Sequence, residues 1–174
     1  MTIVNIYRCQ YEETVERCWY TCEDNWQLFQ GSCYLFDRTQ TPSLNDAKKV
    51  CQDQSAYLVE IESKDEDDFI IESVLALATD ENDKTDYWLG AEDVEGNGRW
   101  VWMTSGNPVT YTNWWSNHGK LNNTCMQLLK NGMTRPKKLD SFYWTMAANG
   151  PNNCSKDGDN GVICEKKPNS SLEK

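Results

Sequence analysis

Eight cysteines constrain the fold of this chain more than any other feature. They stand at positions 9, 18, 22, 33, 51, 125, 154 and 164 of 174 residues. No two of them form a Cys-x-x-Cys pair and the chain has a single histidine, so the ligands of a zinc site would have to come from distant places. A disulfide framework made in an oxidising compartment fits this pattern better. Roughly a hundred pairings remain open at this point.

Charge and hydropathy exclude several classes of partner. The chain carries 17 Lys+Arg and 27 Asp+Glu, a net charge of -10, whereas nucleic acids and anionic membranes require a basic surface. No apolar run approaches the roughly 18–20 residues that span a bilayer. The start, MTIVNIY, is too short for the core of a signal peptide, so we expect any signal to have been removed. Sequons at Asn122, Asn153 and Asn169 are compatible with a secreted protein, and their glycosylation is left open.

The first half of the chain predicts a hairpin and two helices. Residues 22–37 form two short strand patterns around Gly31, with cysteines placed to staple them. Ser43 is predicted to be an N-cap, and apolar residues at 44, 47, 50 and 51 follow it at helical spacing. Ser63 and Glu66 have capping-box spacing before the second helix, and the acidic run Asp65–Asp68 is interpreted as its solvated first turn.

From residue 87 onwards the pattern changes to short strands separated by glycine turns. The strand patterns are YWLGAE, WVW, PVTYTNW, CMQLL and GVICEKK. Residues 130–153 are predicted to be a long polar connection, which in a compact domain is often functional. Residues 167–174 are expected to be a disordered tail. Two helices followed by short strands indicate an α+β domain.

These pieces, in this order, resemble the C-type lectin domain in its long form with an extra N-terminal hairpin. The resemblance covers residues 22–166 and leaves residues 1–21 as an N-terminal extension. It is carried by NWQLFQGSCYLF (25–36), YLVEIES (57–63), Trp88-Leu89-Gly90-Ala91, Trp100-Val101-Trp102, TYTNW (110–114) and the last three cysteines. The sequence motifs are most similar to those of secreted molluscan lectins. The implied fold has two helices flanking short antiparallel sheets, with a long irregular loop region and disulfides.

The resemblance also implies a disulfide pairing. It joins Cys22 to Cys33, Cys51 to Cys164 and Cys125 to Cys154. Cys9 and Cys18 remain, and they either pair with each other or link two chains. The interchain bond is favoured, because lectins of this type often gain avidity as covalent dimers.

The calcium ligands of the family are absent at the aligned positions. Lys120, Leu121 and Asn122 stand where the family has Glu-Pro-Asn or Gln-Pro-Asp, and Asn123 or Thr124 replaces a glutamate. Trp144-Thr145-Met146 aligns with the Trp-Asn-Asp triplet. Calcium takes about six to eight oxygen ligands and draws most of its affinity from carboxylates, and here a lysine ammonium would repel it.

Two further features bear on the metal. At the auxiliary calcium site Asp93 is in place, but Asn97 and Thr124 stand where acids are expected. The stretch between Cys125 and Cys154 is longer than usual for the family, so a displaced X-Pro-X triplet could lie at 135–137, although both flanking residues there are cationic. We therefore expect no metal and no cofactor.

Sugars can be bound without a metal by aromatic rings and directional hydrogen bonds. Trp114 is expected to be structural, as in the family. The hypothesis places the site either in the loop 115–123 or in the insertion 133–146, with a cationic donor in place of calcium and an aromatic ring stacked on the sugar. The candidate residues are Trp115, His118, Lys120, Asn122, Asn123, Arg135, Lys137, Asp140, Tyr143 and Trp144.

The leading functional hypothesis is a secreted, calcium-independent lectin that binds N-acetylated hexosamines (GlcNAc or GalNAc). It would agglutinate as a disulfide-linked dimer in innate defence or particle recognition. The alternative keeps the fold but gives it a protein, mineral or ice surface as ligand. An enzyme is not expected, because the sequence has no nucleophile–base pair, phosphate loop or metal cluster.

Overall fold

A computed structural model describes residues 6–8, 17–78, 85–93, 95–115, 125–130, 142–146 and 154–172. These residues contain two helices, α1 (Leu44–Asp53) and α2 (Lys64–Leu77). The strands of the described ranges are β1 (Ile6–Arg8), β2 (Arg17–Thr21), β3 (Gln27–Phe29), β4 (Ser32–Ser43), β5 (Tyr57–Leu58), β6 (Tyr87–Glu92), β7 (Val101–Trp102), β8 (Cys125–Lys130), β9 (Phe142–Met146), β10 (Ser155–Lys166) and β11 (Asn169–Leu172).

Both helices begin at the predicted serine caps. The Ser43 hydroxyl accepts a hydrogen bond from the Asp46 N–H (3.1 Å), and the Ser63 hydroxyl accepts one from the Glu66 N–H (3.2 Å). Each bond satisfies a backbone donor that the first turn of a helix leaves without an intrahelical partner. Neither helix in the described part of the chain is long and apolar enough to cross a bilayer.

A mostly antiparallel sheet of eight strands forms the centre of the domain. Its main order is β3-β4-β10-β6-β8-β9, with β5 paired to β10 and β7 to β6. Among the described strand pairings of this sheet, only that of β10 with β6 is parallel. Two helices with this sheet and its disulfides confirm the predicted α+β class.

The two faces of the large sheet pack against different helices. On one face, Leu89 and Ile163 pack with Ile70 and Val74 of α2. On the other face, Trp88, Val162 and Cys164 pack with α1. Neighbouring strand residues alternate between the two clusters, as the period of two in a β-strand requires. The sheet is therefore a middle layer between the two helices.

Gly90, in the Trp88-Leu89-Gly90-Ala91 motif, lies where two backbone segments meet closely. A Cβ at this position would come within 2.5 Å of the Leu58 carbonyl oxygen and 2.9 Å of the Val59 carbonyl oxygen. The Gly90 N–H donates to that Val59 oxygen at 2.9 Å. Only glycine permits this approach, which holds β6 against the segment that follows β5.

Three disulfides are formed as the resemblance implied. They join Cys22 to Cys33, Cys51 to Cys164 and Cys125 to Cys154. The Cys51–Cys164 bridge ties α1 to β10 across 113 residues of sequence. On the chain-entropy model, closing a loop of that length stabilises the fold by about 4–5 kcal/mol. The side chains of Cys9 and Cys18 lie outside the described residues.

Two stretches predicted from the sequence to lack regular structure contain strands. Residues 169–172 form β11, which pairs with β2 in a separate sheet of order β1-β2-β11, so this part of the expected disordered tail is ordered. Residues 142–146 form β9, which pairs with β8 inside the stretch predicted as a long connection. In contrast, the predicted strand PVTYTNW makes only isolated bridges, at Pro108 and Trp114.

Candidate functional site

A buried carboxylate on α2 lies at the centre of the candidate site. Asp67 has an exposed fraction of 1%. Its carboxylate accepts hydrogen bonds from the Trp144 indole N–H (2.8 Å), the Asn113 side-chain amide (2.8 Å) and the Tyr111 hydroxyl (3.0 Å). Burial raises the pKa of Asp67, and these three donors oppose the rise. The carboxylate therefore joins the helix to the segment 111–115 and to β9.

The segment that contains Trp114 and Trp115 lies along the edge of β9. Trp114 and Trp144 form an isolated parallel bridge. The Trp144 N–H donates to the Asn113 carbonyl oxygen (2.8 Å), and the Trp115 N–H donates to the Trp144 carbonyl oxygen (2.9 Å). These bonds fix the backbone of residues 113–115 relative to β9, although the two segments are about thirty positions apart in the sequence.

Trp144 belongs to the core. Its ring has an exposed fraction of 0% and packs edge-on against Trp102, Tyr111 and Trp114. A buried ring has no face for a sugar, so the expectation of a sugar contact at Trp144 is corrected: the residue supports the site from beneath. Trp114 packs on the same cluster, which agrees with its predicted structural role.

Trp115 and Tyr143 form a half-buried pair of rings on the opposite face of β9. Their ring centroids are 5.1 Å apart and the rings are nearly perpendicular, with an interplanar angle of 88°. This edge-to-face geometry is favourable for two aromatic rings. Because Tyr143 directly opposes the half-buried Leu129 of β8, the three side chains make one apolar surface. We call Trp115 and Tyr143 the aromatic pair.

Polar side chains continue this face towards β10. Gln127 opposes Thr145 across β8 and β9, and both are 4% exposed. The Asn160 side-chain amide donates to Gln127 Oε1 at 3.0 Å. Because side chains of one strand alternate between faces, Gln127 and Leu129 share a face, as do Thr145 and Tyr143. The face thus combines an apolar aromatic part with neighbouring amide and hydroxyl groups.

Asp93 and Thr145 align with calcium ligands of the family, and both are buried in this structure. The Asp93 carboxylate, fully buried, accepts hydrogen bonds from the backbone N–H groups of Asn97 (3.2 Å) and Gly98 (2.6 Å). It therefore closes its own loop. Thr145, aligned with a metal-binding asparagine, is a buried strand residue. Within the described ranges, no three side chains of His, Cys, Asp or Glu are grouped so that they could hold a metal ion.

Two more acids are buried near α2: Glu66, which neighbours Asp67 on the helix, and Glu165 on β10. Glu66 Oε1 accepts from the Tyr34 hydroxyl (2.7 Å) and Oε2 from the Glu62 N–H (2.8 Å). Burial raises the pKa of Glu66 to about 7. Burial also raises the pKa of Glu165 on β10. The interpretation of Asp65–Asp68 as a solvated turn is therefore wrong for Glu66 and Asp67, which are buried.

The structure places some of the predicted site residues and leaves others out. Trp115 and Tyr143 are brought together and Trp144 is assigned to the core. The remaining candidates lie outside the described residues: His118, Lys120, Asn122, Asn123, Arg135, Lys137 and Asp140. Asp67 was missed by the sequence analysis. It stands at helical spacing with Ile70, Ile71 and Val74, and this periodicity was the signal that could have identified it as buried.

Comparison with known proteins gives one consistent family. The family model "Lectin C-type domain" matches residues 40–166. The chain is 29% identical over 102 residues to a perlucin-like protein of Mytilus galloprovincialis, which covers 59% of this chain and 62% of that protein. It is 27% identical over 158 residues to C-type lectin domain family 6 member A of Mus musculus, which covers 91% of this chain and 63% of that protein.

Solved structures give the same result for the fold. The structure of an SPL-1–GlcNAc complex superimposes with a TM-score of 0.64 at 30% identity, covering 83% of this chain and 94% of that one. A calcium-free form of a Ca²⁺-dependent type II antifreeze protein superimposes with a TM-score of 0.61 at 28% identity, covering 84% of this chain and 100% of that one. The chain spans about three fifths of the length of the two curated relatives.

Proposed function

Because this chain belongs to the C-type lectin domain family, we propose that it is a lectin that binds N-acetylated hexosamines without calcium. The ligand class is glycans with a terminal N-acetylglucosamine or N-acetylgalactosamine. The protein acts outside the cell, as a secreted binding protein and not as an enzyme. Its role is the recognition of microbes or particles in innate defence.

The aromatic pair is the observation that carries this proposal. Trp115 and Tyr143 are half-buried, in contact with each other and fixed to β9 by backbone hydrogen bonds. Aromatic rings bind the C–H face of a sugar or the methyl of an acetamido group, and nearby polar groups orient the hydroxyls. We place the polar contacts in the flanking stretches 116–124 and 131–141, where Lys120, Asn122, Arg135 and Lys137 stand in the sequence.

Independence from calcium is supported by the use of the remaining acids. Asp93 is engaged by two backbone N–H groups, and Asp67 by three side-chain donors. The sequence positions that align with the calcium ligands of the family's sugar site offer no carboxylate. Because carboxylates supply most of the affinity of a protein for calcium, the sugar hydroxyls must be bound by protein donors instead.

The sugar class is supported by the similarity to the SPL-1–GlcNAc complex, whose name gives the sugar bound by that protein. A single site of this kind binds weakly, with a millimolar Kd corresponding to about -4 kcal/mol. Linkage of two sites raises the effective affinity by a factor of roughly 10²–10⁴. We therefore propose a homodimer linked through Cys9 or Cys18, in the N-terminal extension.

A glycan-binding assay with and without EDTA tests the proposal. Binding of the protein to immobilised GlcNAc and GalNAc should be equal in calcium and in EDTA, and free GlcNAc should compete. Loss of binding in EDTA would disprove calcium independence. If no glycan binds and no sugar inhibits agglutination, the ligand is a protein or a mineral or ice surface.

A non-reducing gel tests the dimer separately. The wild-type protein should migrate as a dimer that reducing agent converts to a monomer. The double substitution Cys9→Ser and Cys18→Ser should give a monomer under both conditions and should lower agglutination far more than the affinity for a free monosaccharide. A wild-type monomer on the non-reducing gel would show that neither cysteine links two chains.

A further inference from the structure

We infer that Asp67 is a positioning residue for sugar binding: through three hydrogen bonds it holds in place the two segments that carry Trp115 and Tyr143. The inference rests on the proposed function for its ligand. Asp67 acts on the aromatic pair indirectly. It acts through Trp144, Asn113 and Tyr111, whose side chains all donate to its carboxylate.

Two of these donors stand close in the sequence to the two rings of the aromatic pair. Asn113 stands two residues before Trp115, and Trp144 follows Tyr143 directly. One carboxylate on α2 thus binds a neighbour of each ring. Asp67 Oδ1 accepts from Trp144, while Oδ2 accepts from Asn113 and Tyr111. The helix is consequently the fixed support to which both ring-bearing segments are attached.

Side-chain and backbone bonds together define the separation of the two rings. The backbone bonds of Trp144 with Asn113 and Trp115 set the register of the two segments. The bonds to Asp67 then fix how deeply each segment packs against α2. The T-shaped contact at 5.1 Å depends both on the register of the two segments and on the depth of their packing. A shift of about 1 Å in a positioning element can lower function severely.

The three hydrogen bonds at position 67 require a side chain that only accepts hydrogen bonds. All three partners donate to Asp67, and an ionised carboxylate offers two accepting oxygens with about four lone-pair sites. An asparagine at position 67 would place an N–H₂ group against at least one of these donors. The buried partner left without an acceptor would then either move or remain unsatisfied.

The same helix provides a matched control. Glu66 is 8% exposed, neighbours Asp67 and accepts from a buried tyrosine hydroxyl, Tyr34. Its partners lie on β4 and before α2, outside the segments that carry the aromatic pair. Glu66→Gln and Asp67→Asn therefore disturb comparable buried acids, but only Asp67→Asn disturbs the support of Trp115 and Tyr143. Tyr34→Phe and Tyr111→Phe form a second, milder pair of the same kind.

Three measurements on these variants test the inference. They are the affinity for free GlcNAc, the near-ultraviolet circular dichroism that Trp115 contributes (found by adding Trp115→Phe to each background), and the midpoint of denaturant unfolding. We expect Asp67→Asn to weaken GlcNAc binding at least tenfold and to remove most of the Trp115 signal. Glu66→Gln should shift the unfolding midpoint but leave the affinity within twofold and the Trp115 signal unchanged.

The remaining outcomes also decide whether Asp67 positions the aromatic pair. Wild-type affinity and an intact Trp115 signal in Asp67→Asn would overturn the inference, and so would an equal loss of affinity in Glu66→Gln, since the effect would then be one of stability. If Asp67→Asn does not fold, Tyr111→Phe must lower the affinity more than Tyr34→Phe. If the wild type binds no GlcNAc or other glycan, the proposed function fails, and the Trp115 signal alone decides whether Asp67 positions the pair.

Discussion

One face of the central sheet has two parts that differ in their side chains. In the covered part, Val162 and Trp88 lie beneath α1 and belong to one apolar cluster with Ala47 and Cys51. The same row of paired residues then continues from Trp88 to Gln127 and Thr145, where apolar side chains give way to polar ones. Beyond this row lies the aromatic part, formed by Leu129 and the aromatic pair.

Tryptophan occurs in two different environments on the same face. Trp88 is fully buried, because α1 packs on it. Trp115 is half-buried and has a tyrosine ring as its neighbour. The covered part contains two cysteines that are joined by the longest disulfide loop. Substitutions in the covered part should therefore lower stability, whereas those in the aromatic part should lower binding.

Removal of the Cys51–Cys164 disulfide should have the largest effect on stability. With both cysteines replaced by alanine, the free energy of unfolding should fall by about 4–5 kcal/mol, because a loop of more than a hundred residues is released in the unfolded chain. Removal of Cys22–Cys33, which closes only a short loop, should cost about 3 kcal/mol. Urea denaturation measures both, and an equal cost would contradict the loop-length argument.

The substitution Trp88→Ala should have the next largest effect on stability. The substitution opens a cavity beneath α1 and should destabilise the fold by about 3–5 kcal/mol. Trp88→Phe, which keeps a ring in the cluster, should cost clearly less. Chemical denaturation of the two variants checks the prediction. A loss below about 1 kcal/mol for Trp88→Ala would mean that α1 does not hold this part of the sheet.

The pH dependence of stability tests the opposite face, where Glu66 is buried. Its pKa is about 7 in the folded state against 4.5 for an unperturbed glutamate, so the folded protein retains a proton that the unfolded chain releases first. Stability should therefore fall as pH rises from about 4.5 to 7, by at most about 3 kcal/mol. The groups that act on Glu66 are Tyr34, Glu62 and Glu165.

Glu66→Gln is the control for this titration. Raised pKa values of Asp67 and Glu165, both due to burial, act in the same direction. The variant should therefore flatten the pH profile in part and not completely. Unfolding midpoints measured between pH 4 and pH 8 provide the comparison. A wild-type stability that increases through this range would contradict the assigned direction.

Trp115→Ala should have the smallest effect on stability. A half-buried ring at the edge of β9 loses little apolar contact on truncation, so the expected cost is about 1 kcal/mol. The fold should remain cooperative in urea, with an unchanged slope. A cost equal to that of Trp88→Ala would remove the distinction between the covered part and the aromatic part.

The sequence predicted the framework of the fold better than it predicted the site. The family resemblance implied the three disulfides, and Ser43 and Ser63 marked both helix starts, because capping signals are local. The strand β9 was missed because it is short and lies inside a long polar stretch. Thr145 and Trp144 bury polar groups that hydropathy counts as exposed.

The support of the aromatic pair depends on tertiary contacts. Asp67 stands in a run of acids, and only its periodicity with Ile70 and Val74 indicates a buried position. Its donors come from residues 111–113 and from β9, and no local pattern connects these regions. Trp115 and Tyr143 were identified separately as candidates, but their contact follows from the parallel bridge between Trp114 and Trp144.

The most direct test of the account is a titration of wild-type protein and Trp115→Ala with GlcNAc in the presence of EDTA, with Trp26→Ala as a control. Trp26 is also half-buried, but it lies against Lys166, among the residues that pack with α1. The wild type and Trp26→Ala should bind GlcNAc equally in EDTA, and Trp115→Ala should lose at least tenfold in affinity. Full binding by Trp115→Ala, or no binding by the wild type until calcium is restored, would contradict the account.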